Sequence, residues 1–312
     1  MKKIKDVTES PILIKSTNKV QNYWANRPRI ERFLIIGYGV VGKAVFAGLT
    51  TDSIKNNKWT RYSIDILDEP AGYKLPHLDY SDYDGIIICV PTPEGPTGEC
   101  DDMIVEQYYK EIRFQKVLSP ILIKSTISIQ LAVLLENEDD DAITYSPEFL
   151  VEAKGPEQFL TQSFAIYGES ERCSRYAGRY WYYVFDYADV KTLEVNWTSM
   201  RNAAFVKYAI NSFLAMKVVF FNELSSLYND GIDDINTETV FWELTRLISS
   251  DPRIGKSHIH VPGPDLKYGF GGKCFPKDTN AFTTYARNNG SPLKLLEKAI
   301  NINKEIRNEI KK

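Results

Sequence analysis

Near the end of the chain, YGFGGKCFPKDTNAF places Cys274 just after a glycine-rich turn and four residues before Asp278. Lys273 and Lys277 flank the thiol and favour the thiolate, the form that attacks carbon. Upstream, in the apolar stretch VKYAINSFLAMKVVFFNEL, Lys207 and Asn211 stand four residues apart. Helical spacing stacks them on one face, and burying either without partners is costly, so they reach the surface or share a polar pocket. Another pair, Glu148 and Glu152 in SPEFLVEAKGPEQF, shares a face if the segment is a helical turn. Such a pair serves as a solvated helix edge as readily as a general base. Cys89, Cys100 and Cys173 read as small buried residues.

These groups need elements to hold them. RFLIIGYGVVGKAVFAGL opens with Phe33–Ile36, a short β-branched run suited to a strand buried on both faces. Gly37, Gly39 and Gly42 follow as GxGxxG, with Tyr38, Val40 and Val41 between them, before a helical stretch. Gly37 permits the tight turn, Gly39 lets a pyrophosphate approach the backbone, and Gly42 lets the helix pack close to the strand. A second strand, Tyr62–Leu67, ends at Asp68, where an acid takes the ribose hydroxyls of NAD, with Asp65 a competitor. The distance from Gly37 exceeds the usual spacing of about 20 residues, the excess lying in TTDSIKNNKWTR. A third run, Gly85–Val90, ends in Pro91 and Thr92, and a fourth, Ile121–Lys124, ends in Ser125 and Thr126. Strands separated by helical stretches predict an α/β fold with a Rossmann-like, doubly wound parallel sheet. Ligands of such sheets gather at the strands' carboxyl ends, where these residues stand.

Composition narrows the class. The 312 residues are 43% hydrophobic and 25% charged, enough for two domains with real cores. Net charge is −3, and the basic residues are scattered among acids, which argues against a nucleic-acid partner. MKKIKDVTES has no apolar stretch behind it, and no run reads as a membrane span, so no membrane partner and a cytoplasmic location are expected. The four cysteines form no CxxC pair and His77, His258 and His260 stand at no metal-ligand spacing with them, so neither metal nor disulfide is expected. The aromatic run Arg179–Phe185 suits a core or interface helix. Phe205, Ala209, Phe213, Met216 and Phe220 recur at helical spacing, as in a core or a dimer seam.

One octapeptide, SPILIKST, occurs twice, at Ser10–Thr17 and Ser119–Thr126. The second copy is a strand delivering Thr126 to the sheet's mouth. The first precedes the first strand, within a polar arm over residues 1–32. It either pairs with an exposed sheet edge or is a duplicated fragment.

Taken in order, VPTP, KST, SPEFLxE, KxxxN, FFNEL and GFGGKCFPKD resemble the UDP-glucose/GDP-mannose dehydrogenase family, and DPRIG (Asp251–Gly255) resembles its UDP-glucose 6-dehydrogenase branch. The resemblance runs from about Phe33 to Arg307. It implies a four-electron oxidation of a nucleotide sugar's C6 alcohol, that of UDP-glucose, to a carboxylate with two NAD molecules in turn. It further implies that Asp278 removes the alcohol proton through a water held with Lys207 and Asn211, and that Lys207 stabilises the oxyanion. Cys274 then forms a thiohemiacetal and a thioester, which a water activated by Glu148 with Thr126 hydrolyses. Phe149, Leu150 and Glu152 fall on its substrate loop, Arg253 on an arginine reaching the sugar nucleotide across a homodimer interface, and Gly269, Phe270, Gly271, Gly272 and Lys273 on a loop whose amides wrap the diphosphate.

Departures accompany the match. Val151, Glu152 and Ala153 replace an Arg-Glu-Gly, and Lys273 stands where a small residue is usual. The chain stops at Lys312, and the family's C-terminal nucleotide-binding domain is expected to be lacking. The expected organisation is the arm, an NAD-binding domain over 33–195, and a central-helix, substrate and dimerisation domain over 196–312. The alternative is a catalytically idle homologue that binds NAD or a partner chain.

Overall fold

The computed structural model describes residues 29–56, 60–138, 140, 142–150, 154–170, 176–230 and 237–309. The first SPILIKST copy, Glu152 with its neighbours Val151 and Ala153, and Cys173 lie outside them. The chain forms two compact units. One holds the described residues up to Thr92 and Asp102–Ala204; the other holds Pro93–Asp101 and the residues from Phe205 on. The division therefore falls inside a helix rather than at 195/196. Pro93–Asp101 counts with the second unit because Asn280 donates to the Glu94 carboxylate (2.9 Å) and Thr284 to the Thr97 carbonyl (3.3 Å).

The first unit is built on β1 (Arg29–Ile36), β2 (Thr60–Leu67), β3 (Gly85–Ile88), β4 (Ile121–Ile123), β5 (Ile143–Tyr145), β6 (Thr161–Gln162), β7 (Ala165–Glu169), β8 (Lys191–Thr192) and β9 (Val195–Ser199). Seven of them form one sheet in the order β2-β1-β3-β4-β5-β7-β9, while β6 pairs with β8 apart from it. β1 begins at Arg29 rather than Phe33, so residues 29–32 are strand and not arm. Polar residues are tolerated there because Arg32 bridges to Asp65 on β2, and the two strands stay in register from Arg29↔Thr60 to Ile36↔Leu67. The sheet is parallel through β5 but not throughout, since β7 runs antiparallel to β5 at Tyr145↔Gly168.

Phe33, Ile35, Ile87 and Leu122 lie in the core with Phe159, Tyr180, Trp181 and Phe185. The aromatic run is thus a core helix, Tyr176–Tyr187, with Trp181 fully buried against Phe33 at 5.4 Å between ring centroids. Burying each such large side chain contributes about 1.5–3 kcal/mol.

The second unit contains the continuation of the long helix Met200–Asp230 and the helices Thr237–Ile248, Phe275–Asn288 and Lys294–Glu309. Met200–Tyr228 is long and apolar enough to cross a membrane, which corrects the expectation that no run reaches that length. The sequence reading underestimated it because Lys207, Asn211 and Lys217 interrupt the run. Of the two readings of the Phe205–Phe220 face, core or seam, burial in the core does not describe it, since Ala209, Phe213 and Phe220 are exposed. Lys207, Tyr208, Asn211, Ser212, Ala215, Val219 and Asn222 are buried, whereas Phe213, Phe220 and Leu227 are exposed.

Candidate active site

In the first unit the glycine turn has the geometry that GxGxxG requires. Gly37 adopts a φ of 92°, and a Cβ there would lie 2.6 Å from the Cys89 backbone. A Cβ on Gly42 would stand 2.1 Å from the Gly37 carbonyl oxygen, so only glycine lets the helix Val40–Leu49 start this close to the turn. Beside Gly39 a Cβ would meet nothing within 4 Å. That open space lies at a helix N-terminus whose N-cap, Gly39, contributes no side chain, leaving amide donors for an anion. Asp68 closes the arrangement, accepting from Tyr38 N at 2.6 Å and from Ala71 N at 3.1 Å. Each carboxylate oxygen keeps a lone pair for a hydroxyl. Asp65, the competitor, is taken up by Arg32 (3.2 Å) and the Tyr83 hydroxyl (2.9 Å). These residues fit a dinucleotide.

The strand ends that follow are tied to one another. Ser125 is buried and donates to the Val90 carbonyl at 2.7 Å, which fixes the KST segment against the strand end preceding Pro91 and Thr92. Thr126 follows, half-buried. Lys124, 4% exposed, reaches the Ser146 hydroxyl at 3.3 Å and lies 5.7 Å over the Phe159 ring. Burial pushes the Cys89 thiol up to about 12, against the pull of Lys124 and with a further rise from Glu148. Ser146–Leu150 is not helical, so the Glu148 and Glu152 pairing on a helical face does not describe it. Glu148 instead accepts from Leu150 N at 2.6 Å, and Phe149 packs on Phe164 at 4.6 Å between centroids.

The second unit gathers the thiol and its neighbours. Cys274 is exposed and serves as the N-cap residue of Phe275–Asn288, where the helix dipole favours a thiolate. One turn on, Asp278 is fully buried. Asn211 donates to its Oδ2 at 2.6 Å, and Lys277 forms an ion pair with its Oδ1 at 2.6 Å, off the alignment of a hydrogen bond. Burial works against the Lys277 charge, but Asp278, Cys100 and Cys274 outweigh it and hold the ammonium above its ordinary range. Lys207 is buried one helical turn before Asn211. Of the two outcomes open for Lys207 and Asn211, Asn211 takes the polar pocket.

The remaining expected site residues of this unit lie on the segments around Arg253 and Gly269–Lys273, outside the cluster at Asp278. Arg253 is exposed and bonds Asp251 in a bidentate pair. The amides of Gly269 and Phe270 are engaged by Asn222 (2.9 Å) and Asn303 (2.6 Å), so these two are not available to a diphosphate as the sequence reading expected. Gly272 and Lys273 are exposed. Lys217 donates to the carbonyls of Ile254 (2.9 Å), Gly255 (3.2 Å) and Ser257 (2.5 Å), holding the segment after Arg253. Sequence reasoning missed Lys217, Asn222, Asn303 and Arg307. Asn222 carried the same signal as Asn211, a polar residue on the inward face of an apolar helix. Among the described residues no cluster of histidine, cysteine and acidic side chains is arranged to hold a metal ion.

Residues 201–305 match the sequence model of the UDP-glucose/GDP-mannose dehydrogenase family, central domain. A UDP-glucose 6-dehydrogenase of Rickettsia bellii (strain RML369-C) is 32% identical over 228 residues, covering 71% of this chain and 49% of that protein. That of Rickettsia prowazekii (strain Madrid E) is 30% identical over 293 residues, covering 87% of this chain and 63% of that protein. The chain spans about half the length of the curated relatives it matches. A solved UDP-glucose dehydrogenase from the hyperthermophilic archaeon Pyrobaculum islandicum shares the fold, with a TM-score of 0.67 and 21% identity over 89% of this chain and 69% of that one.

Proposed function

As the chain belongs to the UDP-glucose/GDP-mannose dehydrogenase family, we propose that it oxidises the C6 alcohol of a nucleotide sugar to a carboxylate, with UDP-glucose the substrate and NAD the oxidant. The observation that carries this reading is the exposed Cys274 at a helix N-terminus, one turn before the buried Asp278 that Asn211 and Lys277 hold. A binding protein has no use for such a nucleophile.

Gly37–Gly42 and Asp68 would hold the dinucleotide, with Pro91, Thr92, Ser125 and Thr126 at the neighbouring strand ends. NAD, when bound, supplies the acceptor for a hydride in each of the two oxidations. The chain's own groups handle protons and the carbonyl. Asp278, fixed by Asn211 and Lys277, takes the alcohol proton through a water, and Lys207 stabilises the oxygen as it becomes anionic. The Cys274 sulfur adds to the aldehyde carbon, whose oxygen takes up a proton, giving a thiohemiacetal. Its oxidation leaves a thioester, and a water activated by Glu148 with Thr126 cleaves the carbon–sulfur bond, releasing carboxylate and thiol. Phe149, Leu150 and Glu152, with Gly271–Lys273 and Arg253, would contact the sugar nucleotide. The exposed stripe Phe213, Phe220 and Leu227 recurs every seventh residue on the long helix and supports pairing of two copies.

The test is NADH formation with UDP-glucose. Two NADH per sugar, abolished by Cys274→Ala, is the expected result. Silence of the wild-type chain with every UDP- and GDP-sugar tried would favour the idle, NAD-binding reading.

A further inference from the structure

The loop that carries Cys274 is gripped from behind by side chains with no place in the chemistry above. Phe270 N donates to Asn303 Oδ1 at 2.6 Å, and Asn303 Nδ2 donates to the Phe270 carbonyl at 3.0 Å. One carboxamide thus closes both backbone hydrogen bonds of a single residue. Next to it, Gly269 N donates to Asn222 Oδ1 at 2.9 Å, and Arg307 donates to the carbonyls of Gly269 (3.1 Å) and Phe270 (3.0 Å). Arg307 is itself oriented by Asp265 at 3.1 Å. Asn222 and Asn303 are 4% and 7% exposed. Buried carboxamides are kept only where their polar atoms are satisfied; the loop backbone satisfies Asn303 and the Asn222 oxygen, while Asn222 Nδ2 donates to the Val218 carbonyl of its own helix at 2.8 Å.

The glycines of the motif acquire a second reason. A Cβ on Gly269 would stand 2.4 Å from Asn303 Oδ1, and one on Gly271 would stand 2.4 Å from the Arg307 guanidinium. Gly269 is held to glycine by its φ of 71°, and a Cβ at either position would also have to displace the Asn303 or Arg307 side chain behind the loop. Phe270 and Phe275 both pack in the same apolar cluster, with ring centroids 6.4 Å apart. The exposed segment Gly272–Cys274 is therefore an arch between two anchored aromatic residues, and the first anchor is the residue that Asn303 clamps.

We propose that Asn303 is a positioning residue, which by holding both backbone groups of Phe270 sets where the Cys274 sulfur stands for attack. Only a carboxamide donates and accepts from one planar group of this size. An aspartate there keeps the Phe270 N–H but sets an oxygen against the Phe270 carbonyl. For activity the inference rests on the dehydrogenase reading above; its other readouts do not.

The experiment uses the full chain and the variants Asn303→Asp and Asn303→Ala. Expected first is exchange of the Phe270 amide hydrogen at least tenfold faster in Asn303→Ala and near wild type in Asn303→Asp. Cys274 alkylation by iodoacetamide, followed against pH, should differ from wild type by at least threefold in both variants. With nucleotide sugar, kcat should fall at least tenfold in Asn303→Asp while KM changes less than threefold, since a small misplacement of a nucleophile is felt in the chemical step. A purely structural role would lower the unfolding midpoint and leave the alkylation profile and the kcat of the folded protein unchanged. That result, or unchanged Phe270 exchange in Asn303→Ala, overturns the proposal. If the wild type makes no NADH, the dehydrogenase reading fails on its own, and exchange and alkylation still decide the role of Asn303. Should Asn303→Ala not fold, the isosteric Asn303→Asp carries the decision.

Discussion

Removing the Lys277 ammonium isolates the electrostatics of the thiol's helix from any question of substrate. The Nζ to Oδ1 distance is 2.6 Å, and the two side chains are 14% and 1% exposed, so solvent screens the pair little. At an effective dielectric of about 20 the gross attraction is about 6 kcal/mol. Desolvation of both charges consumes part of it, but that cost on the carboxylate remains when only the lysine is removed. Lys277→Met should therefore lose about 3–5 kcal/mol of stability, the range for a buried pair broken on one side. Among the described residues Asp278 then retains only the Asn211 amide, which compensates a charge incompletely. Lys277→Met with Asp278→Asn removes both charges together and should recover at least half of the loss. Urea unfolding of wild type, the two single variants and the double variant gives the coupling directly. A Lys277→Met variant within about 1 kcal/mol of wild type, where the 3–5 kcal/mol of a broken buried pair was due, would refute the reasoning. So would a double variant no more stable than Lys277→Met.

Two further outcomes follow from the glycine turn and from His258. Gly39→Ala should fold as wild type, because its Cβ meets no atom, yet lose at least tenfold in NAD affinity; Gly42→Ala should unfold more easily even without ligand, its Cβ being forced to 2.1 Å from a carbonyl oxygen. A Gly39→Ala chain that binds NAD normally in a thermal-shift titration would remove the pyrophosphate from that position. His258, whose pKa is lowered by burial and then by Lys217, contributes stability that is complete above the ordinary histidine value of about 6.5 and is lost as the pH falls below it, because the unfolded chain takes the proton first. His258→Asn keeps a residue that tolerates the φ of 60° at this position and should flatten the unfolding midpoint between pH 5 and 7, on the scale of that value of about 6.5.

Much of the first unit was legible in the sequence because its constraints are local. A β-branched run followed by GxGxxG needs only neighbouring residues to specify a strand, a tight turn and a helix start, and Gly37 and Gly42 behave accordingly. The alternation of strands and helical stretches gave the doubly wound parallel sheet, whereas the strand order β2-β1-β3-β4 and the Ser125 bond to the Val90 carbonyl came from the tertiary structure. The acid was narrower than the sequence allowed, since Asp65 and Asp68 differ only in which partners the fold brings to them. Glu148 shows the opposite case, a residue whose supposed helical face depended on a conformation that SPEFL does not adopt.

The sequence by itself determined the reactive inventory: a thiol between lysines, an acid four residues on, and a lysine and asparagine at helical spacing. It also determined that these polar groups required partners, because burial without them is too costly. Only the tertiary structure decided the partners. Asn211 and Asp278 are 67 residues apart in the chain and meet at 2.6 Å, and Asn303 reaches back 33 residues to clamp Phe270. The long helix makes the same point, since its apolar spacing left a core and a seam both open, and the structure turned its polar residues inward and left Phe213, Phe220 and Leu227 exposed. Periodicity fixes which residues share a face, but which face is buried depends on what packs against it. A neighbour distant in sequence leaves no local periodic trace.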